Sequence, residues 1–373
     1  MDGREQTERL YLWLSYGTEH FTRCQSRVLA RYPDLTEAYA LAKRRDASAF
    51  DFLPARGASR LMEAAGDGFM EAYRERLDRA GVRFAFSFDE DYPRLLKEIP
   101  DPPGTLYYKG RLLGDIPLPI AVVGSRAATD YGKDVARLFC RDFAMAGATV
   151  ISGMASGVDA CAARGALDHA GADYPTLAVL GTGADVVYPA ENRSLYEEII
   201  ARGAVVSEFL PGTEARREHF PIRNRVMSGM AKGVLVVEAG ERSGAAITAS
   251  YALEQGRETF AVPGRITDAM SLGTNKLIRQ GEAKPVFSAG DVLCEFGVTG
   301  GGGMPTGRTP DLSALSAEEK RVAAALLSGE KSFDELCDSL PYPPGKLNSY
   351  LTALEFSGIM KQLPGRLYAL KRV

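Results

Sequence analysis

The chain has 373 residues, of which 45% are hydrophobic and 25% charged, with a net charge of −3. This is the balance of a globular protein able to bury a core, and it excludes a low-complexity or disordered chain. A polyanion would have to be held by a local basic patch, because the whole chain carries no positive excess. No run of about 18 apolar residues occurs, so no membrane span is expected. The opening stretch MDGREQTERLYLWL carries acidic residues and no small-residue cleavage site, which predicts a cytoplasmic protein.

Residues 1–80 carry only helical signals. Leu10, Trp13 and Leu14 lie at i, i+3 and i+4, and TEAYALAK and SRLMEAAGDGFMEAYRERLDRAG continue the pattern. A small all-helical, SAM-like domain is expected there. Residues 81–296 alternate short apolar runs with helical stretches. The runs are IAVV (120–123), ATVI (148–151), LAVL (177–180), AVV (204–206), GVLVVE (233–238) and TFAV (259–262). Continuous Val, Ile and Leu runs are those of strands buried on both faces. The alternation predicts an α/β core with a Rossmann-like, doubly wound and mostly parallel sheet. GVTGGGGMPTGRTP (297–310) reads as a Gly/Pro-rich linker. Residues 311–373 then show three helical stretches and a terminal hairpin, IMKQLPGRLYAL, which together predict a winged helix. That segment has eight acidic and eight basic side chains, so a protein contact suits it better than a main DNA contact.

In an open parallel sheet, ligands sit beyond the carboxyl ends of the strands. Those ends are rich in glycine and hydroxyl residues: GSR (124–126), SGMASG (152–157), GTGADVVYP (181–189), SEFLPG (207–212), EAGERSG (238–244) and VPGRI (262–266). Such loops offer N–H groups and hydroxyls to anionic oxygens. No Walker A sequence is present. In AVVGSRAATDYG (121–132), Arg126 stands where a dinucleotide fingerprint needs its second glycine. The arginine supplies a fork for phosphate instead. No serine or cysteine has an adjacent base, and Asp159, Asp185, Glu208 and Glu238 read as caps or buried partners of the loops. No enzyme activity is therefore expected. Five scattered cysteines and three scattered histidines predict neither metal nor disulfide framework, and no cofactor is expected.

The densest basic stretch is EARREHFPIRNR (214–225), where Arg216, Arg217, Arg223 and Arg225 surround Phe220. Cations interleaved with an aromatic suit a single strand: arginines take phosphates and the ring stacks on an unpaired base.

These motifs, in this order over residues 89–290, resemble the DprA/Smf family of DNA-processing proteins. The matching stretches include DEDYPRLLKEIPDPPGTLYYKG (89–110), AVVGSRAATDYG, ISGMASGVDACAARGAL (151–167), LGTGADVVYPAENRSLYEEI (180–199), the long segment 220–264, and SLGTNKLIRQGEAKPV (271–286). The resemblance implies a homodimer that binds and protects incoming single-stranded DNA, displaces single-strand-binding protein and loads RecA during natural transformation. It places DNA contacts at Gly124, Ser125 and Arg126, at Arg217 and Phe220, and at Arg223, Asn224 and Arg225. Gly153, Ser243 and Gly244 join them as loop residues at the strand ends. Ser156 departs from the family, which often carries a long side chain there, so a phosphate contact is missing at that position. The alternative reading is a nucleotide-binding or nucleotide-hydrolysing enzyme on a related core.

Overall fold

The structure, a computed structural model, describes residues 3–18, 24–241, 243–298, 315–327, 330–363 and 365–370. From residue 299 on, the expected linker lies outside the described residues. The chain divides into two compact units, Met1–Gly302 and Gly303–Val373.

The first unit opens with five helices: α1 (Gly3–Thr18), α2 (Cys24–Arg31), α3 (Leu35–Lys43), α4 (Ala55–Ala64) and α5 (Phe69–Ala80). Trp13 and Leu14 are fully buried, and the indole N–H of Trp13 donates to the Leu61 carbonyl at 2.8 Å. Gly17 lets α1 close on α4, since a Cβ there would lie 2.3 Å from the Leu61 side chain. The helical core continues into Phe86, Tyr107, Ala184 and Leu210, so these helices pack directly on one edge of the sheet.

That edge is an antiparallel pair, β1 (Arg83–Phe86) and β2 (Thr105–Gly110), with the short helix α6 (Arg94–Lys97) between them. Seven strands follow: β3 (Pro119–Val123), β4 (Thr149–Ser152), β5 (Thr176–Val179), β6 (Ala204–Ser207), β7 (Gly233–Val236), β8 (Glu258–Ala261) and β9 (Lys284–Pro285). The sheet order is β1-β2-β6-β5-β4-β3-β7-β8-β9, parallel throughout except where β2 joins β1 and β6. All six apolar runs read from the sequence are parallel strands, and the α/β class stands as expected.

The helices α7 (Asp130–Met145), α8 (Val158–Leu167), α9 (Arg193–Arg202), α10 (His219–Gly229), α11 (Gly244–Glu254), α12 (Leu272–Arg279) and α13 (Ala289–Glu295) cover both faces. Alternate strand residues point to opposite faces. Ala121, Val123, Val234 and Val236 pack under Val226, Met227 and Ala249 of α10 and α11. Ile120, Val122, Val150 and Leu235 pack under Phe139 and Phe143 of α7, Ala162 of α8 and Val292 of α13. Burial on both sides is why these strands read as unbroken apolar runs. Strand order reverses at β3, which lies between β4 and β7, so the switch-point crevice opens between the carboxyl ends of β3 and β7.

The second unit is a winged helix: α14 (Ala317–Ala325), β10 (Lys331–Ser332), α15 (Phe333–Ser339), α16 (Pro344–Phe356), β11 (Met360–Leu363) and β12 (Leu367–Leu370). Its strands form an antiparallel sheet in the order β10-β12-β11 over a separate core built on Val322, Leu336, Leu347, Leu351 and Leu354. Capping boxes at Ser316/Glu319 and Ser332/Glu335 start α14 and α15.

Candidate nucleic-acid interface

The loop after β3 is pinned from three sides. The Ser125 N–H donates to the Glu238 carbonyl at 2.8 Å, and the Ser125 carbonyl accepts from Val158 N–H at 3.2 Å. Its hydroxyl accepts from Ala127 N–H at 3.1 Å. Gly124 is set by packing, because a Cβ there would come within 2.5 Å of Val158 Cγ2. The remaining member of the motif, Arg126, is exposed at the lip of the sheet.

Behind it, the crevice is already filled. Glu238, only 4% exposed, accepts from the Thr129 N–H at 2.9 Å and from the Thr129 hydroxyl at 2.6 Å. Thr129 is the N-cap of α7, and a Cβ on Gly132 would lie 2.2 Å from Glu238 Oε2. A helix N-terminus is where a free phosphate would seat, attracted by unpaired N–H groups and the helix dipole. Here a carboxylate of the chain occupies that seat. The other three loop acids are also engaged. Asp159 accepts from Gly153 N–H at 3.0 Å, Asp185 accepts from Gly212 N–H at 2.8 Å, and Glu208 pairs with Arg225.

Outside the plugged crevice, Phe220 stands in the first turn of α10. Its ring lies over Gly181, where a Cβ would come within 3.1 Å of Phe220 Cδ1. The Arg126 guanidinium carbon sits 4.6 Å from the centroid of that ring, a cation–π contact. Tyr188, 42% exposed, flanks Phe220 with centroids 5.7 Å apart and planes inclined by 39°. Arg216 and Arg217 are exposed in the turn leading into α10. Arg126, Phe220, Tyr188 and the paired arginines thus bring charge and ring faces to one set of strand ends.

Three of the expected contact residues sit elsewhere, which corrects their reading as groove-lining groups. Arg223 is 4% exposed and donates through Nη1 to the carbonyls of Gly153, at 2.8 Å, and Val179. Burial depresses its pKa, with the Asp159 carboxylate opposing and Arg126 adding to the depression. Gly153 is buried with it: a Cβ there would meet Arg223 Nη1 at 2.1 Å, and its N–H is spent on Asp159. Arg225 bonds Glu208 and the Asp101 carbonyl, and its side chain is only 12% exposed. Carbonyls and carboxylates that no local pattern announces draw both arginines inward.

The rest of the expected set is mixed. Asn224 is buried, with its amide 3.5 Å from the Gly244 carbonyl. Ser243 caps α11 through Ala245 N–H, and Gly244 is exposed beside it. Ser156 donates to Glu191 at 2.8 Å, which puts a carboxylate beside that position. Tyr188 is the aromatic that sequence reasoning left without a role. Its only local signal is the glycine-rich GTGADVVYP end that carries it.

A doubly wound sheet whose α7 terminus is filled by Glu238, an arginine–aromatic lip and a separate winged helix define a Rossmann-like protein with an appended winged helix. The chain belongs to the DNA recombination-mediator protein A family. That family's model matches residues 83–297, and the DprA winged helix domain matches residues 306–366. Protein Smf of Synechocystis sp. is 34% identical, covering 80% of this chain and 82% of its own length. DNA processing protein DprA of Streptococcus pneumoniae is 42% identical, over 61% of this chain and 81% of that one. Among solved structures, the S. pneumoniae protein superposes with a TM-score of 0.64 at 33% identity, covering 77% of this chain and 97% of that one. DNA processing protein A of Helicobacter pylori, described for its single-stranded DNA binding mode, gives 0.51 at 27% identity, covering 58% and 97%.

Proposed function

We propose that this chain binds single-stranded DNA at the lip formed by Arg126, Phe220, Tyr188, Arg216 and Arg217. The observation that carries the reading is Arg126 lying 4.6 Å over Phe220 beside a crevice that Glu238 has closed. A guanidinium held on a ring face is preset to take a phosphate while the neighbouring rings receive a base. A relative described for its single-stranded DNA binding mode supports the same reading. The strand passes outside the sheet edge, and the chain performs no bond-breaking chemistry on it. A nucleotide-hydrolysing reading lacks its anion seat at α7.

The cellular role we infer is that of the family's recombination mediator: protection of incoming strands in the cytoplasm, displacement of single-strand-binding protein and loading of RecA during transformation. The working form is a homodimer. Ile247 and Leu253 of α11, Leu272 of α12 and the largely exposed Ile266 offer apolar surface on the β7–β9 side for a second copy. A helical segment 1–80, a core 81–296 and a winged helix 311–373 joined through 297–310 are the domain division we propose.

Titration of an oligo-dT at several salt concentrations tests the site. Arg126→Ala is expected to weaken binding and to reduce the salt slope by about 1, the mark of one lost phosphate contact. Phe220→Ala is expected to cost about 1–3 kcal/mol of stacking and to leave the salt slope unchanged. Wild-type affinity and slope in Arg126→Ala would overturn the assignment.

A further inference from the structure

Arginine and aromatic side chains meet a second time in the N-terminal helices. The Arg27 guanidinium carbon lies 5.8 Å from the ring centroid of Phe52, and that of Arg31 lies 5.7 Å from Tyr32. The two rings adjoin, with centroids 6.4 Å apart, and Tyr32 also meets the buried Phe50 at 6.0 Å. The Tyr32 hydroxyl donates to the Ala49 carbonyl at 2.9 Å, so the platform under the arginines is fixed. Arg27 and Arg31 are both exposed, four residues apart on one flank of α2. Among the described residues neither has a carboxylate partner. Elsewhere in the same helices, Arg4, Arg9, Lys43 and Arg74 pair with Glu8, Glu71 and Asp67.

Charge along this part of the chain points to the kind of partner. From Cys24 to Arg60 seven basic side chains stand against four acidic ones, in a chain whose net charge is −3. Two of those acids, Asp34 and Asp46, are spent as caps, accepting from Thr36 N–H at 2.8 Å and Ser48 N–H at 3.1 Å. Helices α1, α3 and α5 carry Glu5, Glu37 and Glu71 in their first turns, as the helix dipole favours. Helices α2 and α4 have no acid there and carry Arg27 and Arg56 instead. Their starts converge, because Arg27 rests on Phe52, three residues ahead of α4. A cation in a first turn opposes the dipole, and an added anion relieves it. A guanidinium lying on a ring keeps its N–H fork for phosphate. Tyr32 is 7% exposed and Phe52 half-buried beneath Arg27, so this surface suits a backbone and offers no open ring face to a base.

We infer that Arg27 and Arg31 of α2, with Arg56 at the start of α4, bind the sugar–phosphate backbone of a single DNA strand. Gln25, Ser26 and Leu29 of α2 line the same cavity as Ile222 and Arg225 of α10, so α2 runs beside the helix whose first turn carries Phe220 of the lip. The arginines of α2 therefore lengthen the track that the lip begins. The choice of a single strand as partner rests on the reading of the lip given above; the anion-binding character of the patch does not.

Full-length protein carrying Arg27→Gln and Arg31→Gln should be titrated at several salt concentrations with a dT hexamer and with a dT strand of about 30 nucleotides, longer than the roughly 4–16 that one single-strand groove spans. The glutamines keep an aliphatic stem over the rings and remove the charge. Affinity for the long strand is expected to fall at least about fivefold. Its salt slope should fall by about 1.4, two phosphate contacts at about 0.7 each. Hexamer affinity should stay at the wild-type value. Arg27→Lys with Arg31→Lys, which restores the charge, should recover the slope. Wild-type affinity and slope for the long strand in the glutamine variant overturn the patch. So does an equal loss for hexamer and long strand, which would mark a general disturbance of the fold. A loss confined to duplex DNA of the same length overturns the single strand as partner. If Arg126→Ala leaves hexamer binding unchanged while the glutamine variant still weakens the long strand, the lip fails and the patch stands.

Discussion

Arginines expected to serve one groove have opposite tasks here, and substitution should separate them. Arg126 is exposed and rests on one ring, so Arg126→Ala should leave stability within about 0.5 kcal/mol of wild type. Arg223→Ala would strip the partner from the buried Asp159 carboxyl and from the carbonyls of Gly153 and Val179. That loss is expected to cost about 3–5 kcal/mol, read as a lowered urea midpoint. A midpoint near wild type would show Arg223 to be a surface ligand after all. Glu208 gives a pH signature. Its carboxyl is raised from 4.5 to about 7 in the folded chain, with Arg225, Asp101 and Tyr92 facing it. The folded state therefore binds the proton more tightly than the unfolded one. The resulting stability is complete below pH 4.5 and is lost as pH rises through about 7. Wild type should lose stability relative to Glu208→Gln between pH 5 and 8 in paired urea titrations. A constant gap across that range would refute the titration.

The elements were more legible than the contacts between them. Strands buried on both faces announce themselves as Val/Ile/Leu runs, and β3 to β8 could be placed from sequence alone. The β1–β2 pair escaped notice because Phe86 and Tyr107 are covered by the N-terminal helices and Ala85, Leu106 and Tyr108 by the core on the other face, a tertiary arrangement that no local pattern marks. In α10 the sequence displayed a dense cationic stretch, but which arginines face outward depends on the carbonyls and carboxylates that β4, β5 and the Asp101 loop bring to it. Charge is local information, whereas pairing is tertiary. Gly124, Ser125 and Arg126 were legible as a motif, but the sequence did not say that α8 holds the loop. Gly157 starts α8 at φ +80°, and a Cβ there would lie 2.3 Å from the Ser125 carbonyl oxygen and 2.6 Å from that of Arg126. Gly157→Ala should therefore displace the Arg126 loop and lower both stability and oligo-dT affinity. Intact affinity would show that the lip does not depend on this contact.

At the scale of the molecule, two compact units carry separate hydrophobic cores. The small second core, built from about one layer of leucines, has little surface to bury and should be the weaker of the two. Trp13 is the single tryptophan, and it is fully buried in the first unit. Tryptophan fluorescence thus reports only that unit, whereas far-ultraviolet circular dichroism reports both. A urea titration should show a dichroism transition at lower denaturant with no matching fluorescence change, a departure from two-state behaviour. Superimposable curves would mean the units unfold as one. No helix among the described residues is long and apolar enough to cross a membrane.

The carboxylate at the head of α7 also bears on how far this fold has moved from cofactor binding. Replacing Arg126 with glycine would supply the second glycine of the fingerprint, yet Thr129 would still stand at the third, Glu238 would still occupy the helix end, and Gly132 is shaped to that side chain. Changes in two loops far apart in the chain, at Arg126 and Thr129 in one and at Glu238 in the other, are needed before a pyrophosphate finds a seat. Neither alone would give a binder, so drift back toward nucleotide chemistry has no intermediate step that gains a ligand.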